Sequence, residues 1–208
     1  MIICVVLSAG LSRRFGSPKA LAPVPDPKEK AVQPAIQHIQ QTLLQSAGVS
    51  EIIIVLGAHA QMIRPYVLKH KAIRAVYNKY YNLGQTSSFQ CGIKAVSPKA
   101  RGILLWPVDY PFIQVETVQR LIQVFHQEQP SILIPTYQGK KGHPPVFHCR
   151  MRNSLQRLPA SEGINTLARQ APGATRLLPV GDPGVRSCFN TPEELKALLL
   201  KHKLLEHN

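Results

Sequence analysis

Acidic residues and aromatics are both scarce in this chain. Eleven Asp and Glu face twenty-five Lys and Arg over 208 residues, leaving a formal net charge of +14. Only 6% of residues are aromatic, and the cations are scattered, with small clusters at Arg13-Arg14, Lys69-His70-Lys71 and Lys140-Lys141. A nucleic-acid binder of such charge concentrates it in blocks interleaved with aromatics, so nucleic acid is not the expected partner. The charge reads instead as a field drawing anionic small molecules toward a cleft, with the remainder solvated.

Cysteine is equally sparse. Cys4, Cys91, Cys149 and Cys188 are far apart and form no CxxC pair, which argues against a zinc knuckle and against a disulfide framework. Reduced, mostly buried thiols are expected. No apolar run approaches the roughly 18 residues that a membrane span requires. Met1 to Leu7 lacks the basic leading region of a signal peptide, so a cytoplasmic location is the expectation.

What the chain does have is alternation. Ile2 to Leu7, Glu51 to Leu56, Ala72 to Tyr77, Gly102 to Trp106 and Ser131 to Pro135 are short apolar runs, the mark of strands buried on both faces. Between them lie helix-like segments at Ala31 to Ala47, Ala60 to His70, Thr86 to Val96 and Val115 to Gln127. Strand and helix in turn predict βαβ units and a mostly parallel sheet in one domain. Gly48 suits a left-handed helix stop. Thr191-Pro192-Glu193-Glu194 suits a capped helix start. The charged, proline-rich Pro23 to Lys30 reads as an exposed loop. After Pro135 the alternation loosens, with a loop-rich Gly139 to Met151 and a short strand at Arg176 to Val180.

Four segments offer chemistry. Leu7-Ser8-Ala9-Gly10-Leu11-Ser12-Arg13-Arg14-Phe15-Gly16-Ser17-Pro18-Lys19 follows a buried strand, so it lies where open α/β sheets bind ligands. Small residues let the backbone approach phosphate oxygens, and Arg13 and Lys19 offer charge-assisted hydrogen bonds to them. The spacing matches neither GxGxxG nor Walker A. Trp106-Pro107-Val108-Asp109-Tyr110-Pro111 follows another buried strand, which puts Asp109 at the same sheet edge, where a carboxylate suits Mg²⁺ beside triphosphate oxygens. Thr86-Ser87-Ser88 opens a helix and either meets a ribose or base or merely caps that helix. In Gly139 to Phe147 the two lysines read as solvated loop, and His143, His148 and Cys149 lack the partners that would complete a metal site.

Taken in order, these motifs resemble the MobA-like nucleotidyltransferases, especially the molybdopterin cytidylyltransferase branch. The family loop LAAGxSxRxGxxK is matched by LSAGLSRRFGSPK, and its GxxxSSLxxGL by Gly84 to Ile93. Its DxP turn is matched by Asp109-Tyr110-Pro111, its GHPVLF by Gly142 to Phe147, and its DTPED-like helix start by Asn190 to Glu194. The resemblance implies a Rossmann-like three-layer sandwich of the nucleotide-diphospho-sugar transferase type. Its nucleotide-binding part would span about 1–110 and its acceptor-binding part about 111–208.

It implies transfer of a nucleoside monophosphate, from CTP or GTP by preference, to a phosphorylated acceptor such as molybdopterin, with Mg²⁺ as cofactor. Leu7, Ser8, Ala9 and Gly10 would line the base and ribose, Ser87 and Ser88 would add nucleotide contacts, and Arg13 and Lys19 would hold the phosphates. Asp109 would place the metal, with Gly142 and His143 on the acceptor, in a monomer or weak homo-oligomer. Alternatives are a sugar phosphate or another metabolite as acceptor, or a nucleotide-binding regulatory protein without turnover. The departures lie on the acceptor side. The family's GDxGAR stretch appears as Ala160 to Asn165, with Ser161 and Asn165 where charges are usual. Cys188 stands where a second metal-binding carboxylate is expected.

Overall fold

In the computed structural model, the described residues are 1–25, 31–170 and 172–205. The first strand, β1 (Ile2–Ser8), is buried at every position. A two-stranded ribbon follows, β2 (Pro23–Pro25) against β3 (Val32–Pro34), antiparallel. Then come α1 (Ala35–Gln45), β4 (Val49–Leu56), the short α2 (Ala60–Ile63), β5 (Ile73–Tyr77) and α3 (Gln85–Ala95). The second half holds β6 (Gly102–Pro107), α4 (Val115–Glu128), β7 (Ile132–Tyr137), β8 (Lys140–Lys141), β9 (Val146–His148), α5 (Arg152–Arg157), α6 (Asn165–Gln170), β10 (Thr175–Pro179) and α7 (Pro192–Leu205).

The main sheet runs β10-β7-β9-β6-β1-β4-β5, with β8 on β7. β5, β4, β1 and β6 are mutually parallel, and β10 is parallel to β7. β9 is antiparallel to both of its neighbours. The alternation of β1 explains the three layers. Ile2, Cys4 and Val6 pack with Ile36, Ile39 and Leu43 of α1 and with Leu121 and Phe125 of α4. Ile3, Val5 and Leu7 pack on the opposite face with Phe89 and Ile93 of α3 and with Leu155 and Leu167. Each such aliphatic side chain contributes roughly 1.5–3 kcal/mol by leaving water, so the central strands firmly anchor the loops at their carboxyl ends. Among the described residues, no helix is long and apolar enough to cross a membrane.

Several local expectations change. The helix expected over Ala31 to Ala47 starts only at Ala35, because Val32–Pro34 pairs as a strand and a proline inside a helix costs a hydrogen bond and a clash. Gly48 does take a positive φ, +94°. The helix expected over Ala60 to His70 stops at Ile63, and Pro65 sits in the 3-10 turn that replaces its second half. Of the loop expected at Pro23 to Lys30, the first three residues form β2, and 26–30 lie outside the described residues. Gly139 to Met151 is not simply loop, since β9 inserts between β6 and β7 through Ile103–Phe147 and Ile132–Phe147 pairs. Of the four thiols, Cys4 is buried and Cys91, Cys149 and Cys188 are half-buried.

Candidate functional site

The carboxyl ends of β1 and β6 lie side by side, joined by the Val108 amide donating to the Leu7 carbonyl at 3.1 Å. The chain leaving β1 folds back on itself rather than entering a helix. Ser12, at φ +51°, accepts the amides of Phe15 (2.9 Å) and Gly16 (3.1 Å) on its carbonyl. The Ser12 hydroxyl accepts the Lys19 amide at 3.1 Å. Phe15 packs its ring on Phe189, 5.2 Å between centroids. The return of the loop is thus pinned to the segment just before α7.

That folding aims Lys19 into the cleft. Its ammonium lies 3.1 Å from Asp109 Oδ2 and 2.9 Å from Asn190 Oδ1. Arg14 donates to the same amide oxygen at 2.9 Å. The cleft around this cluster holds about 460 Å³. Leu7, Ser8, Ala9 and Gly10 line it from β1, Arg13 and Lys19 from the loop, and Ser88 and Asp109 from across the sheet edge. Ser8 is 4% exposed, and its hydroxyl has no hydrogen-bond partner.

Ser87 stands outside this cleft. Its hydroxyl donates toward the Tyr80 and Gly84 carbonyls and accepts from Asn78 Nδ2, so it organises the start of α3. No side chain caps α3; its N-cap is Gly84. Ser88 shares the Asn78 amide while lining the cleft.

A second cleft of about 580 Å³ opens next to the first. Its floor is apolar, built from Leu105, Ile132, Ile134, Phe147, Ile164 and Ala168, while Lys141, Arg169 and Arg186 supply cations and, among the described residues, none of the lining is acidic. Gly142 and His143 belong to this cleft, as do Asn165 and Tyr110. Ser161 is exposed and not part of the lining. The His143 ring packs on Tyr110, 4.4 Å between centroids, and its Nδ1 is buried without a partner. Burial pushes His143 down to about 4; Asp109 opposes that shift and Arg186 adds to it. The imidazole is therefore neutral at ordinary pH. Burial, followed by a hydrogen bond with Cys188, holds the Tyr110 phenol well above its usual range and hence protonated.

The two clefts meet at consecutive residues, Asp109 on one side and Tyr110 on the other, and Gln85 lines both. Each draws on both halves of the sequence, Asn190 reaching the first and Leu105 the second. Residues 182–190 run past both as a strap, with Arg186 at the second cleft and Asn190 at the first. Arg14, Gln85, Asn190, Lys141, Arg169 and Arg186 were not legible as site residues in the sequence. For Asn190 one signal existed, its place at the head of the Thr-Pro-Glu-Glu helix start. Cys188, where a carboxylate was missed, instead sits beside Tyr110.

The donor set suits a divalent ion that keeps most ligands from elsewhere. Among the described residues, no group of three His, Cys, Asp or Glu could hold a metal. One carboxylate, Asp109, faces the cleft with the Asn190 amide oxygen beside it. Mg²⁺ and similar hard cations take one or two such oxygens and complete their shell with phosphates and water. The residues fit a metal shared with a triphosphate and do not fit an all-protein cage.

A model of the MobA-like NTP transferase domain matches residues 4–175. The chain belongs to this family. As a MobA-like NTP transferase it carries a nucleotidyltransferase domain, and solved structures agree on the fold. Rv0371c from Mycobacterium tuberculosis H37Rv is 27% identical, with a TM-score of 0.79 over 96% of this chain and 98% of that one. The same protein in complex with manganese is 25% identical at TM-score 0.75, covering 95% and 97%. A nucleotidyl transferase from Methanothermobacter thermautotroptrophicus superposes at TM-score 0.78 with 21% identity, covering 100% and 99%. Molybdopterin-guanine dinucleotide biosynthesis protein A from Archaeoglobus fulgidus does so at 0.68 with 15% identity, covering 98% and 99%. No curated protein sequence matches the chain significantly.

Proposed function

We propose that this MobA-like NTP transferase moves a nucleoside monophosphate from CTP or GTP to a phosphorylated small acceptor of the molybdopterin type, releasing pyrophosphate. The observation that carries the reading is the junction of the two clefts. Asp109, bound to Lys19, lines one cleft, and Tyr110, packed on His143, lines the other. A triphosphate in the first and an acceptor phosphate in the second would meet beside Asp109.

The chemistry asked of the protein is positioning and charge neutralisation. An acceptor phosphate oxygen forms a bond to the α-phosphorus, the bond from that phosphorus to the bridging oxygen breaks, and pyrophosphate departs with the electron pair. Lys19 and Arg13 offset the negative charge on the phosphates. Asp109 and the Asn190 amide oxygen would hold Mg²⁺, which when bound neutralises phosphate charge. Ser8, Ala9 and Gly10 would face the base and ribose.

The second cleft favours one acceptor class over the alternatives. An apolar floor ringed by Lys141, Arg169 and Arg186 suits an anion with a flat, apolar body. A sugar phosphate would leave hydroxyls against Ile132, Ile134 and Phe147 without partners, which costs free energy. The same cations supply the positive charge that the sequence lacks at Asn165, which favours a working acceptor site over a regulatory protein without turnover.

The test is stepwise. Thermal denaturation with CTP, GTP, ATP or UTP, with and without Mg²⁺, is expected to show metal-dependent stabilisation by CTP or GTP. Pyrophosphate release with molybdopterin should then appear, and Asp109→Asn should abolish it while the fold survives. Absence of stabilisation by every nucleotide would overturn the proposal.

A further inference from the structure

The strand β5 ends one side of the main sheet and, among the described residues, pairs only with β4. The Asn78 amide donates to the Leu56 carbonyl at 2.8 Å, and the Ala72 carbonyl accepts the Ile52 amide at 2.7 Å. Even-numbered residues therefore face β4, while the peptide groups of Ala75 and the amide of Tyr77 point away from it. Charged side chains blunt many such edges. Arg74, the one charged residue of β5, is instead engaged by Glu51 and by the Ala95 carbonyl. Just past the strand, a groove of about 320 Å³ runs between residues 77–83 and α3. Tyr77, Tyr80 and Leu83 line it, each more than half exposed, and Lys79 and Lys94 supply cations.

We infer that β5 and this groove form a docking surface for an acidic, extended segment of a partner protein, which adds to the sheet as a further strand. The outward peptide groups of β5 offer hydrogen bonds to an extended main chain, and the apolar groove takes one of its alternate side chains. The cations select acid in the remaining positions. Lys79 and Lys94 stand at the groove, and the exposed Lys69 and Lys71 come just before the strand. A second copy of this chain joined edge to edge would set those lysines against one another, and like charges across an interface repel. A nucleic acid would meet the lysines and tyrosines but make no use of the β5 peptide groups. The docked segment would lie close to the first cleft, because Asn78 donates to Ser87 of the groove at 3.2 Å and to Ser88 of that cleft at 3.1 Å.

The probe is a labelled peptide in which glutamates alternate with valines around a central phenylalanine, followed by fluorescence anisotropy against the full chain at low ionic strength. Lys79→Glu with Lys94→Glu should weaken its binding by at least about tenfold. Arg120→Glu with Lys196→Glu, an equal change of charge at exposed positions elsewhere, should weaken it by less than about threefold. Tyr80→Ala, which leaves the charge alone, should also weaken it. Each variant is checked for fold by circular dichroism. In the complex, amide hydrogen exchange at Ala75 and Tyr77 should slow by at least about tenfold. Absence of peptide binding would overturn the inference. Equal weakening by both charge pairs, or unchanged exchange at Ala75 and Tyr77, would do the same, since net charge alone would then hold the peptide. Tighter binding of a thymidylate oligomer at the same groove would also overturn it and mark a nucleic-acid surface instead.

Discussion

The carbonyl of Val185 accepts the amide of His143 at 2.8 Å. That bond ties the strap at residues 182–190 to the loop carrying Gly142 and His143, at the wall of the second cleft. Gly142 makes the approach possible. A Cβ there would lie 2.4 Å from the Val185 oxygen and 2.9 Å from Val185 Cγ2. Gly142→Ala is therefore expected to push the strap away, lowering stability by about 1–3 kcal/mol. The acceptor KM should rise while nucleotide affinity stays close to wild type. Urea denaturation and nucleotide titration on the same variant check both halves.

The other end of the strap is held by a buried carboxylate. Asp182, 3% exposed, accepts from the Gln114 amide at 2.9 Å, the Thr117 hydroxyl at 2.8 Å and the Gly184 amide at 2.7 Å. It thereby ties the residues at the start of α4 to the start of the strap. Asp182→Ala would leave three donors without their acceptor, at a cost of about 2–4 kcal/mol. The expected readout is a lower urea midpoint with an unchanged slope. A loss below about 0.5 kcal/mol would show that water replaces the carboxylate freely.

His143 gives the chain a defined acid response. Its folded pKa, pushed down to about 4 by burial, lies below the ordinary value of 6.5. Above pH 6.5 both folded and unfolded chains hold the ring neutral, and the group has no effect on stability. As pH falls from 6.5 toward 4, the unfolded chain takes up a proton that the folded chain refuses, so stability drops. The loss reaches about 2–3 kcal/mol at pH 4. Wild type should thus lose more stability between pH 7 and pH 4.5 than His143→Gln does, as measured by urea denaturation at both pH values. Equal losses would show that the ring is reached by solvent.

The parts of this fold that sequence made legible are those where one local force dominates. β1, β4 and β6 are buried on both faces, so their apolar runs announce them, and the loop after β1 is marked by its glycines and cations. The Thr191 helix start was legible for the same reason, and there the Glu194 amide reaches the Thr191 hydroxyl at 3.3 Å. β9 was not, because three residues with antiparallel neighbours on both sides carry no periodic signal. Asn190 was harder still. It meets Lys19 across 171 residues of sequence, and a search for a carboxylate passes over an amide. The cations of the second cleft, Lys141, Arg169 and Arg186, were obscured in a chain whose basic residues are scattered throughout.

Ser8 offers the sharpest separation of stability from binding. Its hydroxyl ends β1, lines the first cleft and is buried without a partner. A buried hydroxyl without a hydrogen bond is a net cost to the folded chain, so Ser8→Ala is expected to leave the nucleotide-free protein equally stable or up to about 1 kcal/mol more stable. If the hydroxyl turns to meet a bound nucleotide, the same substitution removes one neutral hydrogen bond and weakens nucleotide affinity by about three- to tenfold. The two effects have opposite signs, and thermal denaturation with and without nucleotide reads both from one pair of curves. A variant that lost stability without ligand would mean that Ser8 has a partner in the fold. One that kept full nucleotide affinity would mean that the hydroxyl is only a slightly larger alanine.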